Sequence, residues 1–590
     1  MKTRIIALLM VMVVLVLSFA SCKLFSKNKG QGANDLEPAT ENYPWPATEI
    51  IYSISENSDS QQLPSSSRRY LAGKLDETEA ADHSRVDDYV AERNKDATDY
   101  TGITVNYQYL PDTSTYGWGQ NINFIHRNAT GGAPDAPDVY INFVYDMVAA
   151  SLKGAFANLY STTMHGDGHE WSNSEHNYFA FEDNRLYKDT GKDYMIEYMK
   201  SLTLSKTKMY CLSSDYFVDM VRAFFVIPVN IQLLEEIVVT DTPGLYNTDR
   251  VKDGKYTIDD FYQLVWDYEW NYETLAGFSN EITRELGGEG TTLQDRVGFA
   301  LGTSSGLPAS GMLYTTSITI VKREFKDSDY EYSYPNIKRN PDGSFAFDDK
   351  SADTTFDKLD KFCKNLADLV DNNGVITVSR EEAAALGYTS GEAEGIRKKF
   401  ASNNMLFGGV IVLGALEHED YLGMKGEGKK GYGIAPVPLY HTDLEEGEQY
   451  LTQVHNNGKI GAISFGTKKF AQCTAYLNYQ STNSNKVLNE YYNQKLKQTV
   501  QVVGADGNSE MLNYIRGHVR SSFDKAFEDA LGAHYSAQSA NLSNENKWHS
   551  MIQAANFQLT DMRAKYASIA ATKAENLYNL EHSVYLDLPN

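Results

Sequence analysis

Four groups of residues have types and spacings that could do chemistry. Gly302-Thr303-Ser304-Ser305-Gly306 fits G-x-S-x-G, the turn that raises a nucleophilic serine in α/β-hydrolases. That turn needs a strand before it and a helix directly after it. Here Leu307-Pro308 and more glycine follow, which argues against a nucleophile. His165, His169 and His176 surround Glu170 and could ligate zinc, but Gly166 and Gly168 prevent the i, i+4 presentation on one helix face, so a solvated loop is expected. Aspartate and glutamate number 78, so some pair always resembles a glycosidase dyad, yet nothing in the sequence holds two at a working separation. Cys211, Cys363 and Cys473 lie among apolar or aromatic neighbours without a C-x-x-C pair, which predicts buried free thiols. These residues predict no catalytic group, no metal and no cofactor.

The elements that must position any site belong to a chain of 590 residues, long enough for several domains or one large two-lobed one. Lysine and arginine total 54 against the 78 acids, a net charge of −24 that repels phosphate backbones and excludes nucleic acid as an expected partner. Four cysteines cannot staple this length, so stability must come from a buried core. Tyrosine is abundant, at 40 residues, and its ring can pack or stack while its hydroxyl stays wet. Residues 1–21 read as a signal peptide: Lys2 and Arg4 precede an apolar run from Ile5 to Leu17 that is too short to span a bilayer comfortably. Ser18-Phe19-Ala20-Ser21-Cys22 resembles a bacterial lipobox, which makes Cys22 the lipidated first residue of the mature chain; Phe19 departs from the usual branched aliphatic. Residues 22–46 are polar and aperiodic, a tether.

Beyond the tether, Glu49–Ile54 and Ile103–Tyr109 read as strands, and a charged helix over Val86–Asp99 ends at Gly102. Trp118–Arg127 reads as a helix, Pro137–Asn142 as a third strand, and a helix closed by Gly154 follows. Strands alternating with helices predict a parallel, doubly wound α/β sheet with ligands at its carboxyl ends. Later signals are strand-like runs at Lys208–Leu212 and Ala223–Pro228, a helix started by Thr257-Ile258-Asp259-Asp260, and a hairpin turn at Asn340-Pro341-Asp342-Gly343. Phe356–Val370 reads as a helix, Tyr432–Pro438 and Lys459–Ser464 as strands, Lys468–Tyr479 as a helix, and Trp548 to about Asn576 as an alanine-rich helical run. No internal repeat and no transmembrane segment follows the signal peptide.

The order of these signals resembles the family 1 extracellular solute-binding proteins, the maltose-binding-protein type that serves ATP-driven importers. Four segments carry the resemblance: Ala136–Ile141 continuing through Lys153–Leu159, Phe225–Asn230, Phe407-Gly408-Gly409 with Tyr432–Pro438, and Gly458–Ser464 with the helix of Tyr476 and Tyr479. They frame about residues 47–480; insertions at 160–205 and 320–350 have no clear counterpart. The resemblance implies a two-lobed, periplasmic-binding-protein type II-like α/β fold with a hinge. One lobe would take 47–157 plus 455–505 and the other 158–454 plus 506–590. It implies Asn142, Tyr145 and Asp146 at a strand end facing the ligand, with Asn57, Ser58 and Asp59 after the first strand. From the opposing lobe it implies Asn230, Ser310, Gly311 and Tyr314, with His455 and Asn456 at the crossing. Amides and carboxylates suit paired hydroxyls and aromatic faces suit sugar rings. Helix capping, polar turns and core packing account for the same residues equally well.

The implied function is a non-enzymatic, lipid-anchored monomer that delivers a small polar solute, an oligosaccharide, to ABC permease subunits on the extracytoplasmic membrane face. The net charge leaves a peptide, a polyamine or another cation open as ligand. Two other classes stay open: a secreted glycan-degrading enzyme, and an all-helical surface glycan-binding lipoprotein, which should lack the βαβ pattern at 49–154.

Overall fold

In the computed structural model the described residues are 47–56, 67–75, 83–111, 119–159, 198, 202, 208–213, 217–237, 251, 254–285, 291–326, 329–424, 428–455, 457–499, 506–519, 548–567, 569–580 and 582. Asn57, Ser58, Asp59, Asn456, Cys22 and the histidines around Glu170 lie outside them.

Strand β1 (Thr48–Ser55) is buried from Ile50 onward, as an apolar strand covered on both faces must be. It pairs in parallel with β2 (Ile103–Leu110), Thr48 opposite Ile103 through Ser55 opposite Leu110. On its other side it pairs in parallel with β3 (Val139–Phe143), Tyr52 opposite Val139. Strand β13 (Lys459–Ile463) completes the sheet antiparallel to β3, with Lys459 opposite Phe143, giving the order β13-β3-β1-β2. Strand β2 is the edge of the sheet, and the alternation expected at Ile103–Tyr109 is seen there as half-buried and exposed residues in turn from Thr104 to Tyr109. The connecting helices are α1 (Ser67–Tyr70), α2 (Arg85–Thr101), α3 (Asn121–Gly131) and α4 (Val144–Ser151). Gly102 and Gly132 end α2 and α3 with φ of 71° and 64°, values that favour glycine. An all-helical architecture is excluded by this sheet.

The second sheet departs from the all-parallel expectation. Its β4 (Phe225–Asn230) runs antiparallel to both β11 (Ile411–Val412) and β12 (Tyr432–Ala435). Strands β5 (Phe299–Gly302) and β10 (Val375–Val378) are parallel to each other. The backbone before β11 joins them to β4: Leu406 N–H donates to Val297 O (3.3 Å), and Asn230 N–H donates to Leu406 O (2.8 Å). Around it pack α6 (Ile258–Trp266), α7 (Tyr272–Ile282), α8 (Leu307–Tyr314), α9 (Thr355–Val370) and α10 (Glu392–Ala401). Thr257 caps α6 as expected, accepting from Asp260 N–H while Asp260 accepts from Thr257 N–H. The hairpin predicted at Asn340–Gly343 joins β8 (Ile337–Arg339) to β9 (Phe345–Phe347). Lys208–Leu212 forms no strand; Leu212 makes only an isolated bridge to Gly461.

Helices α11 (Phe470–Thr482) and α12 (Asn485–Thr499) pack on α2, whereas α13 (Asp506–Gly517) packs on β12. The alanine-rich run is not one helix but α14 (Trp548–Ala554), α15 (Met562–Ala567) and α16 (Ala570–Asn579). Positive φ at Asn556 (48°) and Phe557 (63°) breaks it. The break folds Tyr566 back to stack on Trp548, ring centroids 4.6 Å apart, over Phe356 of α9. Tertiary packing there overrides a run that local propensity favours.

Two short backbone stretches join the sheets side by side. Phe225 N–H donates to Gln453 O (3.1 Å) and His455 N–H donates to Ala223 O (2.8 Å). Strand β13 leaves this crossing at Lys459, so the carboxyl ends of β1, β2 and β3 face the crossing. Strand β4 also leaves it, and β5, held antiparallel to β4 through residues 405–407, returns toward it at Gly302.

Candidate functional site

Both sheets therefore direct strand carboxyl ends toward one crossing, the position where open α/β sheets present ligand-binding loops. On the first sheet this end carries Asn142, Tyr145 and Asp146, as expected. Asn142 is buried, and its Oδ1 accepts from Phe143 N–H (2.8 Å) and from Asn121 Nδ2 (3.5 Å). Asp146 is fully enclosed. Its Oδ2 accepts from Gly119 N–H (3.2 Å), while Oδ1 has no hydrogen-bond partner. Burial raises its pKa to about 7, against the lowering effect of the N–H groups of Gly119 and Asn121. Asp146 thus pins the start of α3 to the start of α4. Tyr145 is 8% exposed, its ring against Gly119. At the end of β1, Glu56 takes a two-pronged hydrogen bond from Arg68, 2.7 and 2.8 Å, and the guanidinium lies 4.9 Å from the Tyr109 ring centre.

On the second sheet a narrow recess of about 30 Å³, room for about one or two water molecules, opens beside the end of β5. Gly302, Ser305, Glu392, Arg397, Gly408 and Gly409 are among its lining residues. Glycine keeps it open. A Cβ on Gly302 would stand 2.6 Å from Glu392 Cγ, one on Gly408 2.6 Å from Pro228 Cγ, and Gly409 holds a φ of 78°. Arg397 is anchored by Asp420, Nε to Oδ2 2.8 Å. The recess thus offers a carboxylate acceptor, a guanidinium donor and a hydroxyl, a set suited to hydroxyl groups.

Three expected residues fall elsewhere. Asn230 stands at the end of β4 away from the crossing, fully buried. Its Oδ1 caps the following turn by accepting from Leu233 N–H (3.1 Å), and its Nδ2 donates to Asn403 (2.9 Å). It is a structural cap, because β4 runs away from the hinge. Ser310 is enclosed within α8 with no partner for its hydroxyl. Tyr314, 1% exposed and edge-on to His549 at 6.0 Å, offers no open face for stacking. His455 lies on the crossing, half-buried and edge-on to Phe225 at 5.5 Å; its Nδ1 accepts from Asn457 N–H (3.3 Å).

The G-x-S-x-G segment does lie between a strand and a helix, contrary to expectation. Pro308 sits in the first turn of α8, where its missing N–H is harmless. Ser304 Oγ, however, accepts from Arg380 N–H (2.8 Å) and Ser305 Oγ from Leu307 N–H (3.2 Å), so both hydroxyls serve local backbone. Among the described residues no group of three or more His, Cys, Asp or Glu is placed to hold a metal, and no helix is long and apolar enough to cross a membrane. Cys211, Cys363 and Cys473 are free and buried. Glu392 and Arg397 escaped the sequence reading. Gly-Glu-Ala-Glu-Gly at 391–395 looks like an ordinary acidic helix start, and only the fold lays it over Gly302.

No protein-family model and no curated protein matches the chain. Among solved structures it is similar to the acarbose-binding GacH receptor of Streptomyces glaucescens, at 14% identity and a TM-score of 0.42 over 92% of this chain and 100% of that one. It is also similar to the sugar-binding protein MalE of Xanthomonas citri, at 10% identity and a TM-score of 0.47 over 89% and 99%. Maltose-bound MalE of Listeria monocytogenes aligns at 12% identity and a TM-score of 0.42 over 91% and 99%.

Proposed function

We propose that this protein is the solute-binding component of an ABC importer and grips a small polar solute, an oligosaccharide, between two lobes without chemically changing it. The observation that carries this reading is the facing geometry: two sheets, joined by a short crossing, both turn strand carboxyl ends toward it. A solute touching both ends favours closure over the open state by its differential contacts. The lobes are residues 47–157 with 455–505 and residues 158–454 with 506–590. Glu392, Arg397 and Ser305 form one wall, and the ends of β1 and β3 form the other. Hydroxyl groups fit the recess because Glu392 accepts while Arg397 donates. With Tyr314 enclosed and Tyr145 nearly so, stacking contributes less than the tyrosine content suggests. The chain works as a monomer, held by lipid on Cys22 at the extracytoplasmic membrane face and handing its solute to permease subunits.

Thermal unfolding of the purified protein against a panel of neutral oligosaccharides tests the reading. A binder present at 100 times its Kd stabilises the fold by about 2.7 kcal/mol, and Glu392→Gln should abolish that shift. No shift with any saccharide at 10 mM (about the weakest useful affinity), together with a shift from a polyamine or peptide, would replace the ligand class. Release of reducing ends from any glycan would replace the binding reading with an enzymatic one.

A further inference from the structure

A buried polar cluster sits beside the crossing and is used by neither wall of the site. Arg222, the last residue of α5 (Val218–Arg222), is 1% exposed and directly precedes the crossing. Its Nη1 donates to Asp219 Oδ1 (2.5 Å), and its Nε and Nη2 donate to the two oxygens of Glu417 at 3.1 and 2.8 Å. Glu417 ends the 3-10 turn Leu413–Glu417, which continues β11 of the second sheet. The same carboxylate accepts a third bond, from Tyr491 Oη at 2.8 Å. Tyr491 belongs to α12, which packs chiefly on α2 beside the first sheet and also touches β12 of the second. Tyr70 of α1 completes the enclosure: its ring lies edge-on to Tyr491 at 5.7 Å, and the Arg222 guanidinium lies 5.4 Å from its centre. Lys459 Nζ stands 3.9 Å from Asp219 Oδ2 and 5.8 Å from the ring of Phe143, at the end of β3.

We propose that the Arg222–Glu417–Tyr491 cluster is a latch that fastens the second sheet to the helices of the first and sets how readily the two halves part. Glu417 comes from one half and Tyr491 from the other. A hinge motion that separates the halves must therefore break the Glu417–Tyr491 bond, the Glu417–Arg222 fork, or both. Breaking the fork would leave a guanidinium in a dry site without the Glu417 carboxylate, a strongly unfavourable state unless water enters. Such a cluster is either made or hydrated, with little in between, and so it behaves as a two-state fastening. Most exposed ion pairs here lack this property. Lys364–Asp368, for example, is solvent-exposed at both partners and lies within one helix.

The latch predicts the interlobe distance in the empty protein and does not depend on which solute is bound. Spin labels would be placed at two exposed positions in the two halves, Lys95 on α2 and Lys364 on α9, after replacement by cysteine. Pulsed electron resonance then reads the distance distribution in the doubly labelled protein and in the same protein carrying Tyr491→Phe or Glu417→Gln. Losing the hydroxyl bond to a charged acceptor should shift the balance between short and long distances about tenfold. Glu417→Gln should shift it further. Lys486→Ala, which removes an exposed pair with Glu92 on the first half, should leave the distribution unchanged. Tyr491→Phe keeps the ring and its packing, so the folded state is retained for measurement. A lowered melting temperature with an unaltered distance distribution in both variants would overturn the latch and leave the cluster a static part of the core.

Discussion

Asp146 is the residue whose replacement most directly tests the physical account of the site. Its carboxyl is enclosed, one oxygen has no partner, and its pKa is raised to about 7 from 3.8. For an acid raised in the fold, the native state holds the proton more tightly than the unfolded chain. Stability from this group is therefore greatest below pH 4 and is lost as pH rises toward 7, after which the loss is constant. At about 1.36 kcal/mol for each pKa unit, ionised Asp146 weakens the fold by about 4 kcal/mol at pH 8. Asp146→Asn retains an oxygen for the Gly119 N–H and is uncharged at every pH. Urea unfolding of both proteins at pH 4, 6 and 8 should show near-equal stability at pH 4 and an advantage for the variant growing to about 3–4 kcal/mol at pH 8. Other titrating groups cancel in the difference because both proteins share them. A difference that stays flat with pH, or a variant less stable at pH 8, would show that Asp146 is ionised and balanced in the fold. The same variant should bind solute less tightly if Asp146 is retained for the ligand at a cost in stability.

Three further outcomes follow from the packing. Gly298→Ala should lower stability by about 3 kcal/mol or prevent folding, because its Cβ would lie 2.1 Å from Ser279 Cα on α7; chemical denaturation checks it. Gly302→Ala should leave stability nearly unchanged but weaken solute binding, since its Cβ displaces the flexible Glu392 side chain rather than backbone; calorimetric titration separates the two effects. Burial pushes the thiols of Cys211 and Cys363 up to about 12 and raises that of Cys473 well above the usual thiol range. Native protein should therefore leave these three unmodified by a thiol reagent at pH 8 and expose them only on denaturation.

Much of the first half was legible because its signals are local. Alternation in Ile103–Tyr109, the glycine stops at Gly102 and Gly132, and the apolar run at Val139–Ile141 each declare their element within a few residues. The parallel βαβ arrangement follows from that order. That Asn142, Tyr145 and Asp146 stand at the carboxyl end of a strand was legible for the same reason. Asn230 shows where this reasoning fails. It also ends a strand, but β4 leaves the crossing instead of approaching it, and strand direction relative to a hinge is not written in six residues.

The sequence by itself determined the acidic charge balance, the alternation of strands and helices in the first half, and individual helix ends such as Thr257 and Gly102, because charge, periodicity and capping act within a few residues of each other. Only the tertiary structure decided that β4 lies antiparallel to its neighbours, that Glu392 lies over Gly302, and that Glu417 meets Tyr491 across 74 positions of chain. Those contacts depend on how two sheets seat around one crossing, and burial stabilises any arrangement that covers the same apolar area. The particular arrangement is selected by close packing and by the few buried polar groups that must find partners, and neither can be evaluated before the chain is folded.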